Sequence, residues 1–259
     1  MKICIPTYRR IDAQITLQSI PDELRHQTVL ICEKVEEEEL KKYGVRVLTL
    51  PDSVKGIGNV RQWVVENINS KFIWFIDDDL SFQRRVKDSK KLTKITDSDF
   101  IDLYNWTKQC LQKGFGIVGC SAQGGNNRFE NKFTYFNRIY AIYALNTEIL
   151  IKHNIRFDEI ELMEDFNVIL HLLRFGYRSV INTEFAHNQK AANQTGGCSD
   201  MGRNEEMQKK SAYILAEKHK PFVSVVKKTS KNWVGMEERH DVKVYWKKAF
   251  EQGKYSINS

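Results

Sequence analysis

The chain of 259 residues is 41% hydrophobic and 28% charged and has only 4 prolines, which excludes collagen-like, low-complexity and disordered proteins. No apolar run approaches the roughly 20 residues that span a bilayer. The apolar stretch at the N-terminus is too short for the signal peptide of a secreted protein, so none is expected. Five cysteines without CxxC spacing favour a reducing cytoplasm over a disulfide or zinc framework. The net charge of +7 lies in residues 207–259, where twelve lysines and arginines outnumber five aspartates and glutamates. This tail indicates either a polyanionic partner such as nucleic acid or a solvated basic surface.

The first half of the chain alternates short apolar runs with amphipathic stretches. The run Phe72–Ile76 is wholly apolar, as expected of a strand buried in a parallel sheet. The predicted strands are Lys2–Pro6, Val29–Cys32, Val45–Leu50 and Phe72–Ile76, and the predicted helices are Ile11–Ile20, Val35–Lys42 and Ile57–Ile68. This order is typical of a Rossmann-like, doubly wound α/β sheet.

The second half has a less regular pattern. Its predicted helices are Phe100–Lys113, Met163–Phe175, Glu205–Lys218 and Val242–Phe250, and its predicted strands are Gly116–Gly119, Arg138–Leu145, Arg178–Ile181 and Phe222–Val226. The predicted loops are the basic stretch from Arg84 to Lys94, the segment Ser121–Asn131 and the Gly-rich segment Ala191–Gly202. We expect residues 1–202 to form the main domain and residues 203–259 to form a basic helical and β extension packed on it.

Three adjacent aspartates, Asp77, Asp78 and Asp79, follow the strand that ends at Ile76. In an open parallel sheet, ligands bind beyond the carboxyl ends of the strands. Three neighbouring carboxylates repel one another, and a divalent cation removes that repulsion. Because successive side chains of an extended chain diverge, we expect Asp77 and Asp79 to share Mg²⁺ or Mn²⁺. The alternative is an acidic turn or a helix cap.

Two weaker signals follow in the sequence. Glu164 and Asp165 open a predicted helix, where acids most often interact with the helix dipole. His187 comes shortly after a predicted strand, and a lone histidine is more often a surface or core residue than a ligand. Neither signal identifies a site by itself, so their value lies in their order after the three aspartates.

That order resembles the glycosyltransferases of the GT-A fold, which move a sugar from a nucleoside diphosphate to a hydroxyl group. Two further segments add to the resemblance, Ile5–Arg10 (IPTYRR) and Gly56–Arg61 (GIGNVR), and it extends from Lys2 to His187. It implies an α/β, GT-A fold, with a mostly parallel sheet flanked by helices. It also implies a divalent metal, Mn²⁺ or Mg²⁺, and a UDP-sugar donor.

The GT-A resemblance also assigns roles to residues of this chain. It implies an acceptor base at Asp165, with Glu164 as second choice; in a retaining enzyme Asp165 would instead position the donor sugar. The implied donor-binding residues are Pro6, Thr7, Arg9, Lys55, Gly56, Arg61, Asp77 and Asp78, and the implied metal ligands are Asp77, Asp79 and His187. The loop Ala191–Gly202 either closes over the donor or is an ordinary connection.

A narrower resemblance is to the phage TET-associated glycosyltransferases. It rests on Ile5–Thr7, Gln14–Leu17, Lys55–Ile57, Arg61–Trp63 and Asp77–Phe82. This resemblance implies transfer of glucose or arabinose to the hydroxymethyl group of 5-hydroxymethylcytosine in phage DNA. The DNA partner would then be met in the cytoplasm of the host cell, without a membrane.

Basic residues would hold the phosphates of such a DNA acceptor. The candidates are Arg84, Arg85, Lys87, Lys90, Lys91, Lys94, Lys209, Lys210, Lys227, Lys228, Lys231, Lys243, Lys247 and Lys248. Trp233 and Trp246 lie within the basic tail and either contact the acceptor or belong to the core.

Three other functions remain open from the sequence. A GT-A enzyme could glycosylate a glycan or another acceptor instead of DNA. Acidic pairs at a strand end also serve metal-dependent nucleotidyl or phosphoryl transfer, which releases pyrophosphate where sugar transfer releases a nucleoside diphosphate. A non-catalytic nucleic-acid-binding module is the third alternative, and the aspartates argue against it because carboxylates repel phosphate.

Overall fold

The computed structural model describes residues 1–189, 204–229, 238–253 and 255. The strands are β1 (Lys2–Pro6), β2 (Thr28–Cys32), β3 (Arg46–Thr49), β4 (Phe72–Ile76), β5 (Leu80–Arg85), β6 (Leu92–Lys94), β7 (Ile117–Ala122), β8 (Phe133–Tyr135), β9 (Ile142–Asn146), β10 (Ser179–Gln189), β11 (Val223–Thr229) and β12 (Glu238–Val244). The α-helices are α1 (Asp22–Arg25), α2 (Glu37–Leu40), α3 (Ile57–Asn67), α4 (Asp97–Gln112), α5 (Gln123–Asn126), α6 (Thr147–Lys152), α7 (Glu164–Arg174), α8 (Glu205–Lys218) and α9 (Trp246–Gln252). Short 3₁₀ turns cover Leu17–Ser19, Lys34–Glu36 and Lys41–Tyr43.

One large sheet has the strand order β3-β2-β1-β4-β9-β7-β10-β5-β6, with β8 also paired to β10. Strands β1 to β4 pair in parallel, and β7 pairs in parallel with β10. Strand β9 lies antiparallel between β4 and β7, so β1 to β4, β7 and β10 all run in one direction. The predicted mostly parallel α/β sheet is confirmed, and the carboxyl ends of these strands meet at one edge.

Both faces of the sheet are covered because its central strands are apolar on both sides. Along β4 the side chains alternate between two buried clusters. Trp74 packs with Phe100 of α4 on one face. Phe75 packs with Tyr143 and Phe157 on the other face, which α3 and α7 cover. This double burial explains why the run Phe72–Ile76 was predicted as a strand without ambiguity.

The predicted helix over Ile11–Ile20 is wrong: most of this segment forms turns, followed by one short 3₁₀ turn. Its polar residues are buried by contacts distant in sequence. The Gln14 amide donates to the Thr7 hydroxyl at 2.7 Å, and the Thr16 hydroxyl donates to the backbone carbonyl of Asp77. These bonds hold the segment against the end of β4, and helical apolar spacing does not report them.

Three other predicted elements are corrected. The predicted basic loop is mostly a hairpin of β5 and β6, which extends the sheet beyond β10. The predicted loop Ser121–Asn131 contains the end of β7 and the short helix α5. The predicted helix Val242–Phe250 divides into the end of β12 and α9, because Val242 pairs with Val225 in a hairpin. The predicted helix Glu205–Lys218 has the same bounds as α8.

The described residues after 203 form α8, the hairpin of β11 and β12, and α9. A third buried cluster joins them to α7, through Phe166 and Leu170 from α7 and Leu215, Phe222 and Val242 from the C-terminal part. We call residues 204–229 and 238–255 the C-terminal unit. Among the described residues, no helix is long and apolar enough to cross a bilayer.

Candidate active site

The three aspartates lie at the carboxyl end of β4, and Arg10 binds two of them. The Arg10 Nη1 atom lies 2.6 Å from Asp78 Oδ1 and 2.9 Å from Asp79 Oδ2. The Thr7 hydroxyl donates to the other oxygen of Asp78 at 2.7 Å. The chain turns after Asp77 to enter β5, so strand alternation ends there. Asp77 and Asp79, which were expected to share a cation, have different protein partners here, whereas Asp78 and Asp79 share Arg10.

Asp77 is bound instead to the buried Arg61 of α3. The Arg61 Nη2 atom donates to Asp77 Oδ1 at 2.9 Å, and Nη1 donates to Glu164 at the start of α7. The guanidinium also lies over the ring of Tyr143, 5.3 Å from its centroid. One buried cation therefore ties α3, β4, β9 and α7 together at the edge where the strands end.

Burial changes the acidity of these carboxyls. It raises the pKa of Asp77 to about 7, against the attraction of Arg61, although 26% of the side chain still reaches solvent. Burial also raises the pKa of Asp78 and of Glu164, each against a neighbouring arginine. A bound cation would stabilise the ionised forms, so the edge is electrostatically suited to one.

The glycines of the motif GIGNVR have structural reasons. Gly56 precedes α3 with φ +85°, in the left-handed region that favours glycine. A Cβ atom at Gly58 would lie 2.8 Å from the backbone oxygen of Phe157. The two glycines therefore let α3 begin sharply and pack closely, which places Arg61 between its carboxylates.

Asp165 lies on the first turn of α7 and is paired with Arg138, in the segment between β8 and β9. The Arg138 Nε and Nη2 atoms donate to Asp165 Oδ2 at 3.0 and 2.9 Å. The guanidinium lies 4.1 Å from the ring centroid of Phe166 and 4.7 Å from that of Tyr140. The carboxylate predicted as the base is therefore buried, oriented and close to the same sheet edge.

His187 lies near the end of β10 and is only 2% exposed. Its Nδ1 atom is buried and has no hydrogen-bond partner within the part of the chain that the structure describes, and its ring meets the edge of Tyr140 at 5.3 Å. Burial lowers the pKa of His187 to about 4, which favours the neutral imidazole that binds metals. Two residues along the strand, the Gln189 amide donates to Asp79 Oδ1 at 3.2 Å. The strand that holds His187 thus lies beside Asp79.

The fit to a divalent metal is partial. Within the described ranges, no three His, Cys, Asp or Glu side chains converge on one point. The buried Nδ1 atom of His187, which has no partner among the described residues, and the carboxylate of Asp79 are groups that can bind Mn²⁺ or Mg²⁺. Asp77 is bonded to Arg61. The metal-ligand assignment stays a prediction.

A cavity of about 380 Å³ is lined by residues that are close in sequence to Thr7, Arg61 and Glu164, and not by the three aspartates, Asp165 or His187 themselves. Its lining includes Tyr8, Glu33, Lys55, Gly56, Asn59, Asp158, Glu161, Leu162 and Met207. The Lys55 ammonium pairs with Glu33 on its wall. Of the other predicted donor-binding residues, Pro6 ends β1, and Arg9 donates its backbone N–H to Glu36 at 2.7 Å. Of the predicted donor-binding residues, Lys55 and Gly56 line the cavity. The others that meet at the carboxyl end of β4 are Thr7, Arg61, Asp77 and Asp78.

Several basic candidates are already paired within the protein. Arg84 bonds to Asp99, and Arg85 donates to the Phe129 carbonyl at 3.1 Å. Lys228 and Lys247 have carboxylate partners, Asp241 and Glu251. Lys243 and Lys248 instead lie over the ring of the exposed Tyr245, at 5.1 and 5.3 Å from its centroid.

Trp246 stacks on Phe166 in the third cluster, at 5.7 Å between ring centroids, which favours the core alternative for this residue. Lys231, Trp233 and the predicted loop Ala191–Gly202 lie outside the described residues.

Three residues of this site were not assigned a role from the sequence. Arg10 lies in the motif IPTYRR, where its position beside Arg9 could have indicated it. Arg138 and Gln189 lie in no recognisable pattern. Their partners Asp165 and Asp79 are 27 and 110 residues away, so only the folded chain reveals them.

Comparison with known proteins agrees with this geometry. The chain is 27% identical over 222 residues to the beta-glucosyl-HMC-alpha-glucosyl-transferase of Enterobacteria phage T6, covering 80% of this chain and 77% of the relative. The corresponding protein of phage T2 is 26% identical over the same coverage.

The fold is similar to that of glucosyl-3-phosphoglycerate synthase from Mycobacterium tuberculosis, with a TM-score of 0.54 and 13% identity over 94% of this chain and 86% of that one. It is also similar to S. aureus TarS 1-349 in complex with UDP, with a TM-score of 0.54 and 14% identity over 84% and 65% of the two chains. These likenesses show the GT-A fold. The family profile of the TET-associated glycosyltransferases matches residues 1–197. The chain is therefore a glycosyltransferase of the GT-A fold that belongs to the TET-associated glycosyltransferase family.

Proposed function

We propose that this enzyme transfers a sugar, glucose or arabinose, from a UDP-sugar to a hydroxyl group borne by a modified cytosine in DNA. The observation that supports it best is the convergence of Asp77–Asp79 with the first turn of α7, which carries Asp165, at one edge of the sheet, where Arg61 bonds to both Asp77 and Glu164. One set of carboxylates suits the donor and the other suits the acceptor. The two phage relatives, whose names specify a glucosyl transferase for glucosylated HMC, support the acceptor class.

The acceptor hydroxyl has two possible positions. It belongs to the hydroxymethyl group of cytosine, or to a sugar already attached there, as the relatives' name describes. Either hydroxyl lies outside the base-pairing edge, so the enzyme reaches it in the major groove or on a flipped nucleotide.

In this proposal the cavity holds the donor nucleotide, with Tyr8 and Lys55 on its wall. Arg61 is held by two carboxylates. We therefore place it as a fixed counter-charge behind the donor sugar and not as a free ligand of the diphosphate. Structural neighbours crystallised with UDP and Mn²⁺ agree with the donor class and the metal.

Asp165 is the proposed general base for an inverting transfer. Its carboxylate takes the proton of the acceptor hydroxyl while that oxygen forms a bond to the anomeric carbon. The bond from the anomeric carbon to the diphosphate breaks, and UDP leaves with the electron pair. Asp165 is 6% exposed, which limits the access of bulk water to its carboxylate.

Asp79 and His187 are the residues we propose to hold Mn²⁺ or Mg²⁺, with Asp77 close by. When bound there, the cation compensates charge on the leaving diphosphate. The protein's own contribution is to keep the His187 imidazole neutral and to fix Asp79 through Arg10 and Gln189.

The test is nucleoside mass spectrometry on two duplexes, one with 5-hydroxymethylcytosine and one with its glucosylated form. Each is incubated with the protein, Mn²⁺ or Mg²⁺ and a mixture of UDP-sugars, and cytosine DNA is the control. We expect a gain of one hexose or one pentose on one duplex and none on the control.

Release of UDP with a glycan acceptor, but no change in DNA, would replace the DNA acceptor with a glycan. Release of pyrophosphate from a nucleoside triphosphate would favour the nucleotidyltransferase alternative instead.

A further inference from the structure

Arg138 has a restrained geometry for a residue outside helices and strands. Its Nε and Nη2 atoms both donate to one oxygen, Oδ2 of Asp165, at 3.0 and 2.9 Å. The rings of Phe166 and Tyr140 lie on the guanidinium at 4.1 and 4.7 Å. Such contacts fix the plane of a guanidinium, which a lysine ammonium cannot reproduce.

The two hydrogen bonds leave the oxygens of Asp165 unequal. Among the described residues, both side-chain bonds to this carboxylate end on Oδ2 and none ends on Oδ1. Asp165 is 6% exposed, whereas the side chain of Arg138 is 44% exposed. Arg138 therefore faces the open side of the site and does not serve to fill the core.

No other described cation takes this place. The groups that face Asp165 are its neighbour Glu164, Arg61 from α3, Tyr143 from β9 and Tyr140. Arg61 donates its side-chain hydrogen bonds to Glu164 and Asp77 and none to Asp165 among the described contacts. Without Arg138 the buried carboxylate of Asp165 would lose both hydrogen bonds to Oδ2 and the restraint that they place on its orientation.

We propose that Arg138 is a positioning residue for sugar transfer: its two hydrogen bonds to Oδ2 hold Asp165 turned so that Oδ1 receives the proton of the acceptor hydroxyl. This inference rests on the proposed role of Asp165 as the base. It adds to that role the means by which the carboxylate is oriented, and it assigns Arg138 no contact with the donor.

The experiment compares steady-state transfer by wild type, Arg138→Ala, Arg138→Lys and Asp165→Asn. We expect kcat of Arg138→Ala to fall about 100-fold, since a positioned base contributes at least that much. The KM for the UDP-sugar should stay within about twofold, because donor contacts are unchanged. Added guanidinium ion should restore part of kcat in Arg138→Ala and none in Asp165→Asn, a response that a purely structural role would not give.

The matched control is Arg25→Ala. Arg25 is also a partly exposed arginine with a carboxylate partner, Asp22 at 3.1 Å, but it lies in α1 before β2, at the opposite edge of the sheet. Its kcat should equal that of wild type. Thermal unfolding of each variant shows whether the fold is kept, and Arg138→Lys serves if the alanine variant does not fold.

Two results would overturn the inference. One is a kcat of Arg138→Ala or Arg138→Lys within twofold of wild type. The other is a rise in donor KM at unchanged kcat. The proposed function fails separately, if wild type adds no sugar to modified DNA. The same variants are then compared in hydrolysis of the UDP-sugar, where water replaces the acceptor and Asp165 has the same task.

Discussion

Asp77, Asp78 and Asp79 are identical and adjacent, yet each has a different environment. Asp77 faces the buried Arg61, Asp78 faces Thr7 and Arg10, and Asp79 meets Arg10 and Gln189. The division arises because β4 ends before the triplet and the chain turns within it. The three identical residues therefore have different sets of partners, and substitutions can test whether they also have different roles.

The donor and acceptor roles predict that two substitutions both impair transfer but differ in their effect on UDP binding. Asp79→Asn should abolish transfer and also the part of UDP binding that depends on Mn²⁺, because it removes a carboxylate charge at the proposed metal position. Asp165→Asn should lower transfer at least 100-fold and leave UDP binding intact. Titration calorimetry with UDP, with and without Mn²⁺, measures the binding, and Asp12→Asn at an exposed aspartate is the control. Transfer at the wild-type rate by Asp165→Asn would refute the assignment of the base.

Arg61 is the residue on which stability depends most directly at this edge. Arg61→Met keeps the length of the side chain but leaves Glu164 and Asp77 without their cation, so we expect a loss of about 3–5 kcal/mol in unfolding free energy. The loss should shrink at low pH, where neutral carboxyls need no partner. Urea titration at pH 8 and pH 5 measures it. Arg84→Met, at a half-exposed pair, should cost about 1 kcal/mol or less; an equal loss in both variants would contradict the expectation.

At the scale of elements, α7 connects the site to the C-terminal unit. Its first turn presents Glu164 and Asp165, its apolar side packs against α8 and α9, and its Asn167 and Arg174 side chains contact His219. Asn167 Oδ1 lies 2.9 Å from His219 Nε2, and the Arg174 guanidinium lies 3.4 Å from Nδ1. Both ring nitrogens are engaged in a way that fits a neutral imidazole, with Nε2 donating and Nδ1 accepting.

This network predicts a pH dependence of stability. Burial, reinforced by nearby His171 and Arg174, lowers the pKa of His219 from 6.5 to about 2. The unfolded chain therefore binds this proton first, and its share of stability is complete above pH 6.5 and declines as pH falls from 6.5 toward 2. The slope for one proton is about 1.4 kcal/mol per pH unit. Urea unfolding of wild type and His219→Gln from pH 7 to 5 measures it, and parallel slopes would contradict the assignment.

Helices and strands could be predicted from the sequence where the spacing of their own apolar residues shows which side is buried. The run Phe72–Ile76 and the helix Ile57–Ile68 are covered by apolar contacts that their spacing already indicates. The helix over Ile11–Ile20 was mispredicted because Gln14 and Thr16 are buried by hydrogen bonds to distant residues. The same limit applies to the site: the aspartates follow a strand and were found, whereas the pair of Arg138 and Asp165 joins segments without a shared pattern.

At the scale of the whole molecule, part of the positive charge is neutralised by carboxylates of the protein and is not available to bind phosphates. Carboxylates neutralise Arg84, Lys228 and Lys247. Lys243 and Lys248 lie over Tyr245 instead, on the C-terminal unit that packs behind α7. Lys243 and Lys248 have no bonded carboxylate among the described residues. They are therefore better placed to bind phosphates than the paired Arg84, Lys228 and Lys247.

We therefore expect Lys243→Gln/Lys248→Gln to weaken binding of duplex DNA and to flatten its salt dependence. Each lost phosphate contact reduces the magnitude of the slope of log affinity against log salt concentration by about 0.9. The slope of the double variant should therefore be smaller in magnitude by about 1.8. Fluorescence anisotropy from 50 to 200 mM salt measures it. The control is Lys113→Gln/Lys152→Gln, two exposed lysines near the opposite edge of the sheet, with the same change in charge. An unchanged slope in the first variant would remove this surface from the DNA interface.

The stack of Trp246 on Phe166 has a consequence for hybrid enzymes. The family profile ends at residue 197, yet the residue after Asp165 obtains its packing partner from α9. A chimera that joins the first 197 residues of this protein to the C-terminal segment of a relative would inherit a foreign partner for Phe166. Such a chimera needs an aromatic residue at the position of Trp246 if the ring next to Asp165 is to keep its stacking partner.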